Sequence, residues 1–319
     1  PFLSDTDGDG LIDTDEIKIH KTDPNWIDTD EDGLNDGDEI NIHHTNPTEA
    51  DTDQDGLTDN DEVKHGTNPL EVDSNGNGID DGDEDTDSDG INDGDELNIH
   101  TTDPKVADTD EDGLSDGDEV KYGTNPLKAD SDGNGIDDGD EDTDSDGIND
   151  GDEINIHHTN PTAADTDQDS LDDGEEVKLK TNPLAADSDE DGLNDADEVL
   201  VIGSNPSAQD SDGDGIIDGD EDSDSDSLSD ADELSTHHTD PKVADTDQDG
   251  LSDSDEIKYG TNPLEVDSNG NGISDGNEDS DSDGLSDADE LNIHNTDPLV
   301  MDTDQDGLND GEEVKLKTN

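Results

Sequence analysis

A single leucine or isoleucine recurs inside stretches that are otherwise acidic and glycine-bearing, first at Leu11, Leu34 and Leu57. After each stretch come one or two more apolar residues and a linker such as "INIHHTNPTEA" or "VKHGTNPLEV". This pattern predicts no long element. The segment Asp36 through Asn41 has room for about one helical turn, and Thr45-Asn46-Pro47 ends it, because the residue before a proline is pushed out of the helical region. We expect Leu34, Ile40 and Ile42 of the second stretch to form one small cluster, of order 1.5–3 kcal/mol for each side chain fully buried. Such clusters cannot hold a fold alone.

The spacing is a repeat. Aligned on their first aspartate, sixteen twelve-residue units appear, separated by 23, 22 or 12 residues. The order 23, 22, 12 recurs as a 57-residue block, over 28–84, 85–141 and 222–278, and the block 142–221 carries one additional 23-residue step. The chain reads as one array over 1–319. Disordered acidic tails have no reason to keep register, so register implies geometry.

Within a unit the slots are specialised. Slot 1 is Asp5, Asp28, Asp51, Asp73, Asp85, Asp108, Asp130, Asp142, Asp165, Asp187, Asp210, Asp222, Asp245, Asp267, Asp279 and Asp302. Slot 3 is Asp7, Asp30, Asp53, Asn75, Asp87, Asp110, Asp132, Asp144, Asp167, Asp189, Asp212, Asp224, Asp247, Asn269, Asp281 and Asp304. Slot 5 is Asp9, Asp32, Asp55, Asn77, Asp89, Asp112, Asn134, Asp146, Asp169, Asp191, Asp214, Asp226, Asp249, Asn271, Asp283 and Asp306. Slot 6 is glycine in fourteen units, Ser170 and Ser227 being the exceptions. Slot 7 is Leu11, Leu34, Leu57, Ile79, Ile91, Leu114, Ile136, Ile148, Leu171, Leu193, Ile216, Leu228, Leu251, Ile273, Leu285 and Leu308. Slot 9 is Asp13, Asp36, Asp59, Asp81, Asp93, Asp116, Asp138, Asp150, Asp173, Asp195, Asp218, Asp230, Asp253, Asp275, Asp287 and Asp310. Slot 12 is Glu16, Glu39, Glu62, Glu84, Glu96, Glu119, Glu141, Glu153, Glu176, Glu198, Glu221, Glu233, Glu256, Glu278, Glu290 and Glu313.

That is the ligand order of a calcium loop. Ca²⁺ takes about six to eight oxygens, with side chains at slots 1, 3, 5 and 9, a backbone carbonyl at slot 7 and a bidentate acid at slot 12. Glycine at slot 6 permits the sharp turn around the ion. Mg²⁺ demands strict octahedral geometry and keeps its waters, so a dense oxygen cage suits Ca²⁺ better. The absence of cysteine, and of paired histidines inside the loops, argues against zinc or a redox metal. We expect sixteen or more bound Ca²⁺, with the metal supplying most of the folding free energy.

Composition sharpens this. Asp and Glu number 103 against 12 Lys and Arg, the formal net charge is −91, and only 22% of residues are hydrophobic. Such a charge excludes nucleic acid and anionic membranes as electrostatic partners. No apolar run approaches the roughly eighteen residues of a membrane span. No segment offers the dry concave pocket that nucleophilic catalysis needs, so we expect no enzyme.

The loops are not EF-hands, whose apolar position is slot 8 and whose first slot is entered from a helix. Here slot 8 is mostly polar (Asn35, Thr58, Asp80, Asn92, Ser115), and prolines such as Pro47 and Pro69 stand four residues before slot 1. The pattern, with glutamate at slot 12 and a "TNP" linker, resembles bacterial and archaeal thrombospondin type 3 repeats over essentially the whole chain. The resemblance implies an irregular fold with little regular secondary structure: a calcium-stapled linear repeat array, an extended rod with short helical turns, on a secreted or cell-surface protein. Animal members tie neighbouring repeats with disulfides, and none can form here.

The expected role is therefore a non-enzymatic extracellular structural protein. The alternatives are a calcium-buffering or mineral-binding polyanion, and the spacer stalk of a cell-surface adhesin. Four units, at Asp73, Asp130, Asp210 and Asp267, run into the next with no linker, and three of them carry Asn75, Asn77, Asn134, Asn269 or Asn271 at a ligand slot. The slot 11 carboxylates are read as spare groups able to bridge a second ion, and the linker histidines as packing on the apolar turn. Joining Asn319 to Pro1 regenerates a 22-residue step, which leads us to expect head-to-tail self-association or a longer covalent array.

Overall fold

The computed structural model describes residues 4–317, so the expected joint between Thr318-Asn319 and Pro1–Leu3 lies outside the described residues. The chain divides after Pro161 into two compact portions, built by the same rules. Among the described residues there are no strands, only loops and short helical segments.

Each unit is a tight loop that runs into a helical turn starting at slot 9. The slot 9 amide closes the loop by donating to the carbonyl of the residue before slot 1, as from Asp36 to Ile27 at 3.1 Å and from Asp59 to Ala50 at 2.9 Å. Slot 8 is polar because it caps that turn: Asn35 accepts from the Asp38 amide at 2.7 Å, and Thr58 from the Asp61 amide at 3.1 Å. In return the side chains of Asn35 and Thr58 donate to the carboxylates of Asp38 and Asp61, at 2.7 and 2.8 Å. In these units the slot 11 carboxylate is a partner of the cap.

The step length is set by how the helix ends. In units followed by a 22-residue step the helix is α throughout, as over Asp59–His65, and Gly66 closes it by donating to the Glu62 carbonyl, four residues back, at 2.6 Å. In units followed by 23 residues the last turn is widened, as over Glu39–His43, and His44 donates to the Glu39 carbonyl, five residues back, at 2.6 Å. One inserted residue is absorbed by one π-type turn. Units followed by 12 residues make a single short turn, as over Asp81–Asp83, and leave it at once through the extended Glu84.

In the two longer endings the residue that closes the helix is left-handed: Gly66 has φ 91° and His44 φ 65°. The second histidine of each pair is placed here. His44, His158 and His238 are exposed, with Nδ1 at 3.2, 2.9 and 3.0 Å from the carbonyls of Ile40, Ile154 and Leu234. They cap the helix end, which corrects the expectation that they pack on the apolar turn.

The expected cluster of Leu34, Ile40 and Ile42 is also corrected, since Ile42 is 62% exposed. The equivalent residues Ile19, Ile99, Ile156 and Ile293 are exposed too, and so are Leu179 and Leu316 in the α-type units, so this position faces outward whichever way the helix ends. Burial falls instead on slot 7, as at Leu57 and Leu114, on linker prolines such as Pro47 and Pro69, and on carboxylates.

Candidate metal centres

Backbone amides orient the slot 1 and slot 5 carboxylates of the loop. In the unit at Asp108, the slot 1 carboxylate accepts from the amides of Glu111 at 2.7 Å and Gly113 at 3.1 Å. At slot 5, Asp112 Oδ1 accepts from the Leu114 amide at 2.8 Å. The turn needs left-handed backbone at slot 6, where Gly113 has φ 101°, and also at slot 4, where Glu111 has φ 63°. Ser170 and Ser227 adopt φ 91° and 90° at slot 6, as glycine does elsewhere.

What remains is a set of buried oxygens with no donor. They are both oxygens of Asp110, Oδ2 of Asp112 and both oxygens of Glu119, a residue with no exposed surface. The unit at Asp51 repeats it with both oxygens of Asp53, Oδ2 of Asp55 and both oxygens of Glu62. Burial and the neighbouring aspartates push the pKa of Glu62 up to about 9, and those of Glu39 and Glu119 to about 8. Hard anionic oxygens, converging and unpaired, fit a calcium ion.

Slot 9 behaves differently from slots 1, 3, 5 and 12. In the full units its carboxylate braces its own loop: Asp36 accepts from the Thr29 amide at 2.8 Å and the Thr29 hydroxyl at 2.7 Å. The same carboxylate faces the preceding unit, where Asp36 forms a cluster with Asp9 and Glu16 whose ligand atoms lie within 4.8 Å. Neighbours are joined a second way, through slot 10: the amides of Gly117, Ala196 and Gly311 donate to the slot 5 carboxylates of Asp89, Asp169 and Asp283. Sequence reasoning missed slots 2 and 10. Their signal was present, Thr or Ser at every slot 2 and mostly Gly, Ala or Ser at slot 10.

The four linkerless units are built otherwise. Their slot 7 residues Ile79, Ile136, Ile216 and Ile273 are 48–50% exposed, against 2% for Leu57. In three of them side-chain amides donate to one oxygen, Oε1, of the slot 12 acid. Asn75 and Asn77 donate to Glu84 at 2.6 and 2.8 Å, Asn134 to Glu141 at 2.5 Å, and Asn269 and Asn271 to Glu278 at 2.8 and 2.5 Å.

The family model of the bacterial TSP3 repeat matches residues 5–25, 28–50, 51–71, 85–107, 108–129, 142–164, 165–186, 187–207, 222–244, 245–265, 279–300 and 302–319. Twelve units are matched, and the four passed over are the linkerless ones. No curated protein matches the chain. Among solved structures, a biofilm associated protein's BSP domain is 47% identical over 14% of this chain and 8% of that one, with a TM-score of 0.14. The B domain of a biofilm associated protein is 45% identical over 15% of this chain and 11% of that one, with a TM-score of 0.15. The chain thus spans a small fraction of the length of either.

Proposed function

Because this chain belongs to the bacterial thrombospondin type 3 repeat family, we propose that it is a non-enzymatic structural array whose fold is templated by Ca²⁺, acting as an extended rod or stalk at the cell surface. One observation carries the reading: Glu16 is fully buried with neither oxygen hydrogen-bonded, and it faces Asp7, Asp9 and Asp13 of its own loop. A cation resolves that arrangement, and an array with a cation at each loop is ordered only while the cations stay. In each full loop the residues that hold the ion are those of slots 1, 3, 5 and 12, with the slot 7 carbonyl. Extracellular calcium, at millimolar levels, fills modular sites of about 10⁻⁴–10⁻³ M.

The test is small-angle scattering and circular dichroism of the full chain with Ca²⁺ and with excess chelator. Expansion and loss of the helical signal on chelation are expected, with recovery on adding Ca²⁺ back. A profile unchanged by chelator would overturn the calcium-templated fold.

A further inference from the structure

The four linkerless units have exposed loops, yet their slot 9 aspartates are among the most buried residues of the chain. Asp81 is 1% exposed, Asp138 and Asp218 2%, and Asp275 1%. We propose that each linkerless unit is a lid on the unit before it, its slot 9 carboxylate serving as a ligand of that unit's calcium ion, and that the three amide-closed lids hold no ion of their own. The proposal rests on the calcium reading above and adds a division of labour between units.

Three observations support it. First, Asp81 stands with Asp55 and Glu62 of the preceding unit, ligand atoms all within 4.8 Å of one another and every residue buried. Second, in full units both slot 9 oxygens are taken by slot 2, as Asp116 accepts from the Thr109 amide at 2.8 Å and the Thr109 hydroxyl at 2.6 Å. In the lid at Asp130 only the Ser131 amide reaches Asp138 Oδ1, at 2.9 Å, and Oδ2 is buried with no partner. Asp218 Oδ2 is orphaned in the same way, whereas in Asp81 and Asp275 both oxygens share the one amide of Ser74 or Ser268 and receive no hydroxyl. A buried carboxylate held by one amide alone is short of compensation, and a cation supplies it.

Third, the lid is pressed onto the cage it covers, as full units are at Gly37 and Gly117. A Cβ on Gly82 would stand 2.6 Å from the Asp55 carbonyl oxygen, and one on Gly139 2.6 Å from that of Asp112. In the lid at Asp267 the contact is a hydrogen bond, Gly276 to the Asp249 carboxylate at 2.8 Å. The lid's own loop has lost the need for an ion, because Asn75 and Asn77 already supply donors to Glu84. The unit at Asp210 keeps Asp212 and Asp214 and is the one lid with an all-acid loop.

Tyr122 lies in the helix Asp116–Tyr122 of the unit that Asp138 covers, and reports on that cage. In full-length chain carrying Trp26→Phe and Tyr259→Phe, tyrosine fluorescence is followed during Ca²⁺ titration. Asp138→Asn keeps the acceptor for Ser131 and removes the ligand charge, and is expected to raise the Ca²⁺ midpoint at Tyr122 at least tenfold. Asp140→Asn, an exposed neighbour in the same lid, removes the same charge and is expected to move it less than threefold. Equal shifts, or none for Asp138→Asn, overturn the lid while leaving a calcium response intact. A Tyr122 signal indifferent to Ca²⁺ overturns the underlying reading as well. Independently of any substitution, native mass spectrometry in buffered limiting Ca²⁺ is expected to count no more than thirteen tightly held ions, with Asn134→Asp adding one. Sixteen ions of like affinity refute the division of labour.

Discussion

The amide of Gly276 donates to the carboxylate of Asp249 at 2.8 Å, and the two residues belong to successive repeat units. A side chain at Gly276 would begin 2.6 Å from the Asp249 carbonyl oxygen. Ala196 shows that a methyl group is accommodated at this slot, since its amide still reaches Asp169 at 3.0 Å. At Gly276, however, the atom met is backbone, so Gly276→Ala is expected to cost about 1–3 kcal/mol through overpacking, and Gly276→Leu more. Thermal unfolding of both variants in saturating Ca²⁺ checks this, and equal melting temperatures contradict it.

Ser170 and Ser227 hold φ of 91° and 90°, a backbone region that costs an L-residue roughly 1 kcal/mol relative to glycine. Ser170→Gly and Ser227→Gly should each lower the Ca²⁺ midpoint for local ordering, by about fivefold at that cost. Site-resolved calcium titration by NMR decides it. A midpoint unchanged or raised in both variants counts against strain at slot 6.

Protons and calcium compete for the same buried acids. Burial, followed by Asp30, raises Glu39 from 4.5 to about 8, so the ion-free compact state favours the protonated form. That preference is fully present below pH 4.5 and is lost as pH rises toward 8. Calcium binding at pH 7 is accordingly expected to release protons, and the Ca²⁺ midpoint to fall between about pH 5 and 8, then level off. Calorimetry in two buffers of different ionisation enthalpy measures the release. Identical heats in both buffers would show that no such acids titrate.

The widened turn makes one residue dispensable. Deleting Ile42 together with His44→Gly converts "EINIHHTNP" to the pattern of "EVKHGTNP", the α-type ending of the next unit. We expect this double change to alter stability by less than about 1 kcal/mol, since a left-handed glycine suits the helix end. Deleting one residue inside the loop, such as Gln54, is expected to abolish ordering of that unit. Circular dichroism and Ca²⁺ titration of the two deletions separate the cases.

The loops were legible because their ligand slots are nearly invariant within the chain: the register, the left-handed sixth position and the buried slot 12 acids such as Glu62 follow from counting. Slot 4 was not legible, because Glu31, Gln54 and Ser88 give no hint of positive φ, which the wrap of the loop imposes on them. Ile42 was misplaced because an apolar residue near a turn looks like core. The same slot is exposed at Leu316, in a unit with no widened turn, so the helix face and not the ending decides it. The slot 9 aspartates read simply as ligands of their own loops, while the structure gives Asp36 two hydrogen bonds from Thr29 and a place beside Asp9 and Glu16. Contacts between units are a property of stacking, and only the small residues at slot 10 foreshadowed them.

The slot 5 to slot 10 joint recurs between different pairs of units, at Asp89 with Gly117 and again at Asp226 with Ser254. A junction that accepts glycine, alanine or serine on one side and aspartate on the other is indifferent to which particular copies meet there. Unequal recombination or replication slippage that removed or duplicated one 57-residue block would leave two surfaces that already fit. Copy number is thus free to drift without any compensating change in sequence, and alleles of different length would differ in their number of loops while sharing one chemistry.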